Sequence, residues 1–142
     1  MPNDALAEAF GVAEDAPLSP MQTIERVRAG LPIQSLERLC RHIAPGDANF
    51  KYQIVSKASL ARRKERAVPR LSAGESEKLA RLAAVWAFAE IVWGGDDAAR
   101  RFMFGRHSLL DNASPVEVTL SSELGGKVVQ DVLGRLVYGT AV

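Results

Sequence analysis

The spacing of the apolar residues limits what this chain can fold into more than any other feature. Apolar side chains recur at steps of three and four along most of the sequence, as on one face of an α-helix. No segment alternates apolar and polar residues over a useful length, which would indicate a half-buried strand. Aromatic residues make up only 6% of the chain, which also favours helix over sheet. We therefore predict an all-α protein.

Serine residues mark where several helices begin. Ser19 precedes a proline at the first helical position, Ser72 opens a Ser-x-x-Glu capping box, and Ser114 combines both signals. Gly30 and Gly94 are placed as stops. Two apolar stripes follow from the spacing: Ile33, Leu36, Leu39, Cys40 and Ile43 in one helix, and Leu79, Leu82, Ala83, Trp86, Ala89 and Trp93 in the longest helix.

We divide the chain into three parts. Residues 1–17 show weak patterning and are interpreted as a loosely ordered arm. Residues 18–70 contain short helices, and residues 71–142 contain the longest helix, a short helix capped by Asp96 and a last helix that ends near Gly139. The prediction is an N-terminal helical domain packed on a C-terminal helical domain.

Three short predicted helices, at 33–43, 48–54 and 57–67, follow one another with short breaks, and Asp47 is the expected cap of the second. This is the outline of a helix-turn-helix, in which the last helix enters the major groove of DNA. Residues 48–70 contain seven cations and one acid, a net charge of +6, whereas the later part of the chain carries −2. The cations thus gather on and beside the expected recognition helix.

Phosphate contacts by Lys and Arg supply much of the affinity of a protein for DNA. We expect Lys57 and Ser59 to face bases, and the arginines to face mostly phosphates. The predicted DNA-binding residues are Lys57, Ser59, Arg62, Arg63, Lys64 and Arg66. The alternative is a solvated helix face, as most short runs of charge are.

Several stretches resemble a known family. ASLARR at 58–63 is followed by LSAGESEKLARLA at 71–83, and AFAEIVWG stands at 87–94. The tail has Gly125, Val129, Leu133, Arg135, Tyr138 and Gly139 in the pattern G-x-x-x-V-x-x-x-L-x-R-x-x-Y-G. These segments are similar to the Xre-type antitoxins of the MbcA/ParS/Xre group, with an Xre/Cro-like helix-turn-helix in front. Lys78 stands where the family pattern has an arginine.

The resemblance implies a function. Members of this family pair with a RES-domain toxin that consumes NAD⁺, cover the entrance of its active site, and repress the operon that encodes both proteins. It also implies a homodimer through the C-terminal domain, a larger assembly with the toxin, and a tail that lies near the toxin's catalytic cleft.

The tail and the loop at 102–110 are the segments that we expect to contact the toxin. Trp86 fits the core stripe, whereas Trp93 at the helix end is a candidate exposed anchor, since tryptophan is enriched at interface centres. The predicted toxin-binding residues are Trp93, Phe102, His107, Arg135, Tyr138, Gly139 and Thr140. For the tail, a frayed terminus is an equal alternative.

The polar residues do not form a recognisable catalytic set. His42 fits a surface or core-edge position, and His107 has no carboxylate or cysteine at motif spacing. Cys40 lies on an apolar stripe and fits a small core residue. We find no nucleophile and base that could act together, and predict a protein without enzymatic activity, cofactor or metal.

The location follows from what the sequence lacks. Its first residues are acidic and interrupted, unlike an export signal, and no apolar run approaches the roughly 18–20 residues that cross a bilayer. The single cysteine fits a reducing compartment. We expect a cytoplasmic protein without membrane contact.

Two other functions stay open. The chain could be a plain transcriptional regulator whose second half only dimerises or senses a small ligand. It could also be a helical adaptor that makes no contact with DNA. A RES-type reading frame beside the gene would separate the antitoxin from the plain regulator. An adaptor should retain no DNA fragment even at low salt.

Overall fold

The computed structural model describes residues 19–139. The predicted arm at 1–17 lies outside these residues. Within the described part of the chain there are seven α-helices and no strand, which confirms the predicted all-α class. The helices are α1 (Pro20–Ala29), α2 (Ile33–Ile43), α3 (Lys57–Lys64), α4 (Ala73–Trp93), α5 (Asp96–Phe104), α6 (Pro115–Ser121) and α7 (Glu123–Tyr138), with 3-10 turns at Phe50–Gln53 and Ser108–Leu110.

The three predicted serine caps are confirmed. Ser19, Ser72 and Ser114 each accept a hydrogen bond from the backbone N–H three residues later, and the glutamine or glutamate there bonds back to the cap. These reciprocal bonds satisfy N–H groups that have no partner inside the helix. Gly94 ends α4 in the left-handed conformation at φ 75°, where a side chain would be strained.

Helix α4 is the centre of the molecule. It packs against α1, α2, α5, α6 and α7, so both halves of the chain share one apolar core. The stripes predicted on α2 and α4 are buried, apart from Trp93, and Trp86 is inaccessible to solvent as expected for a core residue. Burial of apolar surface stabilises the folded state, so a core shared by both halves favours folding as one unit.

The two halves are also joined by backbone contacts. The N–H of Leu71 donates to the carbonyl of Leu31 at 2.8 Å, and the N–H of Leu31 donates to Ser76 Oγ at 2.8 Å. Gly30 lies so close to the Leu71 carbonyl that a Cβ would overlap it. The segment before α2 is therefore held against the start of α4. The predicted boundary after residue 70 stays a prediction.

Three local predictions were wrong. The segment expected as a helix at 48–54 is only a 3-10 turn at Phe50–Gln53, and its cap position is taken by Asn49 rather than by Asp47, whose Oδ1 accepts from the N–H of Asn49. Helix α3 ends at Lys64 rather than at residue 67. Asp96 is not a cap, since Gly95 takes that position and Asp96 is the first helical residue.

Candidate nucleic-acid and protein interfaces

Helix α3 is held in place by one cap and one apolar anchor. Ser56 Oγ accepts from the N–H of Ser59 at 3.2 Å, which fixes the start of the helix. Leu60 is the one buried side chain of α3, so the rest of the helix surface faces outward or sideways. The helix is therefore an exposed cationic element on a single apolar support.

The predicted DNA-binding residues fall into two groups. Lys57, Arg62 and Arg66 are exposed, although Arg66 lies just beyond the helix, and Arg62 donates to Ser59 Oγ at 3.1 Å. The side chains of Arg63 and Lys64 instead point to acids of the same chain. Five of the six predicted residues lie on α3 and Arg66 follows it, and they differ in how accessible they are to a ligand. The six are Lys57, Ser59, Arg62, Arg63, Lys64 and Arg66.

Arg63 joins α3 to the start of α4. Its Nη2 donates to Glu75 Oε2 at 3.3 Å, and its Nε lies 2.7 Å from Oε1, with both side chains less than one-fifth exposed. Burial raises the pKa of Glu75, but the hydrogen bonds from Ser72 and Arg63 outweigh it, and the pKa lies below its usual value. The carboxylate therefore stays charged, and caps α4 while it holds Arg63.

A second set of contacts surrounds the 3-10 turn before α3. Lys64 Nζ lies 2.9 Å from Glu37 Oε1 on α2, and this hydrogen bond lowers the pKa of Glu37. Lys57 and Lys51 both lie near the ring of Tyr52, at 5.8 and 5.6 Å from its centroid. These cations are arranged around the turn that precedes α3, which periodicity alone did not indicate.

The other predicted surface forms where α4 ends. The rings of Trp93 and Phe102 are 5.7 Å apart, and Phe102 is 6.0 Å from His107 in an edge-on arrangement. Together with Leu136 of α7 and the arginines Arg101 and Arg106, they line a shallow pocket of about 330 Å³. Three predicted toxin-binding residues from separate segments are therefore brought together.

The remaining predicted toxin-binding residues lie at the end of α7 and just after it. Arg135, Tyr138 and Gly139 are exposed, and the Tyr138 side chain is 76% accessible. Leu136 of the same helix is 46% exposed and lies on the lining of the pocket. Thr140 lies outside the described residues.

His107 is held in a structured loop. Its Nδ1 accepts from the N–H of Leu109 at 3.2 Å, and its backbone pairs with that of Ala113. The neighbouring residues Asp111 and Asn112 adopt left-handed backbone conformations, which their short polar side chains tolerate. The loop therefore presents His107 beside Phe102 in a defined orientation.

A further polar cluster was not predicted from the sequence. His42 Nε2 lies 3.4 Å from Asp96 Oδ1 and 3.7 Å from Glu90 Oε1, and the imidazole packs edge-on against Trp86. Burial first, and then the nearby Asp96, raise the pKa of Glu90. These residues come from α2, α4 and α5, so no local spacing in the sequence could have revealed them.

Cys40 is a buried part of the core, as its stripe position suggests. Burial raises the pKa of its thiol to about 12. A thiol in this state is protonated at neutral pH and is a poor nucleophile.

Comparison with known proteins identifies both halves. Residues 22–84 match the Antitoxin Xre-like helix-turn-helix domain, and residues 88–139 match the Antitoxin Xre/MbcA/ParS C-terminal toxin-binding domain. A search of curated protein sequences found no match. In the part of the chain that the structure describes, no helix combines the length and apolar character needed to cross a membrane. The two domain matches follow each other along the chain and confirm the resemblance: the protein belongs to the Xre/MbcA/ParS family of antitoxins.

Proposed function

We propose that this protein is a cytoplasmic antitoxin that neutralises a RES-domain, NAD⁺-degrading toxin by covering its active-site entrance, and that with this toxin it represses its own operon. The observation that carries the proposal is the pairing of a cationic helix-turn-helix with an aromatic pocket at the end of α4 in the matched toxin-binding domain. In this proposal the chain is not an enzyme and forms a homodimer through its C-terminal domain, within a larger assembly with the toxin.

The pocket at the end of α4 supports the toxin-binding part. Trp93 is 42% exposed although its ring packs against that of Phe102, so it is supported from one side and accessible on another. Aromatic residues with such support are the usual anchors of protein interfaces. Arg101 and Arg106 on the lining favour a toxin segment that combines an apolar side chain with an acidic one.

Replacement of Trp93 tests this surface. We expect Trp93→Ala to weaken toxin binding by about 2 kcal/mol or more, roughly 30-fold, and to abolish rescue of cells that express the toxin. Ile91→Ala is the matched control, because Ile91 is 57% exposed on the same helix but does not line the pocket. Affinity is measured by calorimetry after far-UV circular dichroism has shown that both variants fold. Equal affinity of the two variants would remove Trp93 from the interface.

The tail is tested by deletion of residues 135–142. The last buried side chain of α7 is Leu133, so within the described part of the chain this deletion removes no core residue. We expect the shortened protein to fold and to lose rescue in cells. Full rescue would exclude the tail from the proposed contact.

The exposed cations support the DNA-binding part. Lys57, Arg62, Lys64 and Arg66 are exposed, of which Lys64 is paired with Glu37, and Ser59 lies near the helix start. We place Lys57 and Ser59 toward bases and the arginines toward phosphates. Arg63 and Lys64 contribute charge from their positions in ion pairs with Glu75 and Glu37.

Salt-dependent binding to the promoter fragment upstream of the gene tests this assignment. Arg62→Ala should weaken binding and lower the slope of log K against log salt concentration by about 1, as loss of one phosphate contact does. Arg135→Ala, which removes an exposed arginine of α7, should leave the slope unchanged. An unchanged slope for Arg62→Ala would contradict the recognition-helix assignment. If DNA binding persists but no toxin is captured by the unaltered protein, the plain regulator is favoured.

A further inference from the structure

The side chains of His42, Glu90 and Asp96 meet where the two halves of the chain are packed together. His42 belongs to α2, Glu90 to α4, and Asp96 opens α5. One potential ligand atom from each lies within 4.8 Å of the others. We infer that these three side chains form a binding site for a zinc ion, which would join the helix-turn-helix half to the toxin-binding half.

The distances suit a tetrahedral ion. Zinc binds imidazole nitrogen and carboxylate oxygen at about 2.0–2.2 Å, so two ligands of a tetrahedral site are about 3.3–3.6 Å apart. The imidazole Nε2 is 3.4 Å from the Asp96 oxygen and 3.7 Å from the Glu90 oxygen. These separations are long for hydrogen bonds but close to those of neighbouring zinc ligands.

Two of the three atoms that face the centre of the cluster lack a hydrogen-bond partner among the described residues. Glu90 is only 10% exposed, and its Oε1 and His42 Nε2 are both shielded from solvent without a hydrogen bond in the described part of the chain. A buried carboxylate oxygen and a buried imidazole nitrogen without partners are costly to leave unsatisfied. A zinc ion satisfies both at once, and Asp96, which is 41% exposed, leaves room for a water as fourth ligand.

The surroundings fix the ligands and balance the charge. Arg100 donates from Nη2 to the His42 carbonyl at 2.8 Å and lies near both Asp96 and the Trp86 ring. With zinc bound, the two carboxylates and Arg100 leave the site with one net positive charge, rather than the negative charge it has without the metal. Trp86 supports the imidazole from its edge. Such support for a ligand's orientation is typical of metal sites.

Zinc titration of the full-length, metal-stripped protein tests the site. We expect saturable binding of one zinc ion per chain by calorimetry, and a rise of the melting temperature with zinc, since a ligand that binds only the folded state stabilises it. His42→Gln and Asp96→Asn should each weaken zinc affinity by at least about 100-fold, because loss of a side chain that merely supports a ligand costs about 10–100-fold. Cobalt, used as a spectroscopic substitute, should give the visible absorption of a tetrahedral site in the unaltered protein and not in His42→Gln or Asp96→Asn.

His107→Gln is the matched control, because it removes the other histidine of the chain and should leave zinc affinity unchanged. Absence of saturable binding, or zinc affinity that survives both cluster variants, would overturn the inference. Equal loss in His107→Gln would place the metal elsewhere and would also overturn it. If His42→Gln fails to fold, the half-exposed position of Asp96 makes Asp96→Asn the deciding variant. None of these outcomes bears on toxin or DNA binding, so the proposed function is tested separately.

Discussion

At the scale of single residues, two adjacent arginines differ in exposure and in hydrogen-bond partners because their side chains point into different surroundings. Arg62 and Arg63 are adjacent and were assigned the same role from the sequence. In the structure Arg62 is exposed, and Arg63 is mostly buried against the Glu75 carboxylate. The position of Glu75 at the start of α4 makes this difference, and a charge count along the chain does not contain it.

Arg63→Ala should therefore destabilise the fold, and Arg62→Ala should not. Removal of Arg63 leaves a half-buried carboxylate without its cation, which we expect to lower the free energy of unfolding by about 1–3 kcal/mol. Arg62→Ala, at an exposed position, should stay within about 0.5 kcal/mol. Urea denaturation at pH 7 measures both. Equal stabilities would show that the ion pair with Glu75 contributes nothing.

The same pair predicts a pH dependence. The pKa of Glu75 in the folded chain lies below the ordinary value of 4.5, so its stabilisation is fully present above that value and is lost as the pH falls through the folded pKa. The difference in unfolding free energy between the unaltered protein and Arg63→Ala should thus shrink in acid. Urea titrations at neutral pH and near pH 3 check this. A difference that does not decrease in acid would contradict the assigned pair.

At the scale of elements, α6 and α7 pack closely at one glycine of α7, where a side chain has no room, and leave open space at another. A Cβ at Gly125 would overlap the carbonyl oxygen of Val118 and lie 2.9 Å from Ser121 Oγ, whereas a Cβ at Gly134 meets nothing within 4 Å. The tight turn between the two helices requires the first glycine. The second has no such role.

Alanine at each position measures this difference. Gly125→Ala should lower the free energy of unfolding by about 1–3 kcal/mol, because backbone must move to relieve the overlap. Gly134→Ala should raise it by about 0.5–1 kcal/mol, since alanine favours helix over glycine. Thermal and urea unfolding give both values. A stabilising Gly125→Ala would show that the α6–α7 contact is looser than described.

At the scale of the whole molecule, the two segments that match separate family domains share one hydrophobic core. The helix-turn-helix match ends at residue 84 and the toxin-binding match begins at residue 88, both within the continuous helix α4. Leu79, Leu82 and Trp86 of this helix are fully buried among residues of both halves. Neither half therefore has a separate core.

We consequently expect the chain to unfold in one cooperative transition. Both tryptophans lie on α4, so their fluorescence reports the shared helix, whereas far-UV circular dichroism reports all helices. The urea midpoints from the two signals should coincide, as they do in two-state unfolding. A transition in circular dichroism that precedes the one in fluorescence would show that one half unfolds by itself.

Much of the fold could be predicted because the sequence patterns that mark helices span only a few residues. The three capping boxes, the glycine stops and the stripes of α2 and α4 each lie within a few residues of sequence, and each is found in the structure. The residues 65–67 were wrongly assigned to α3 because helix-forming residues there suggested continuation. Val68 just beyond is 61% exposed, so an extension of α3 would bury little and gain little.

The sequence by itself determined the helical class, most of the helix starts and stops, and the family, since these depend on periodicity, caps and motifs within short windows. Only the tertiary structure decided which charges are paired, that Leu136 joins Trp93 and Phe102 in one pocket, and that His42 meets Glu90 and Asp96. The physical reason is distance along the chain. A side chain's exposure, charge state and partners depend on residues that packing around α4 brings close, and no local pattern specifies them.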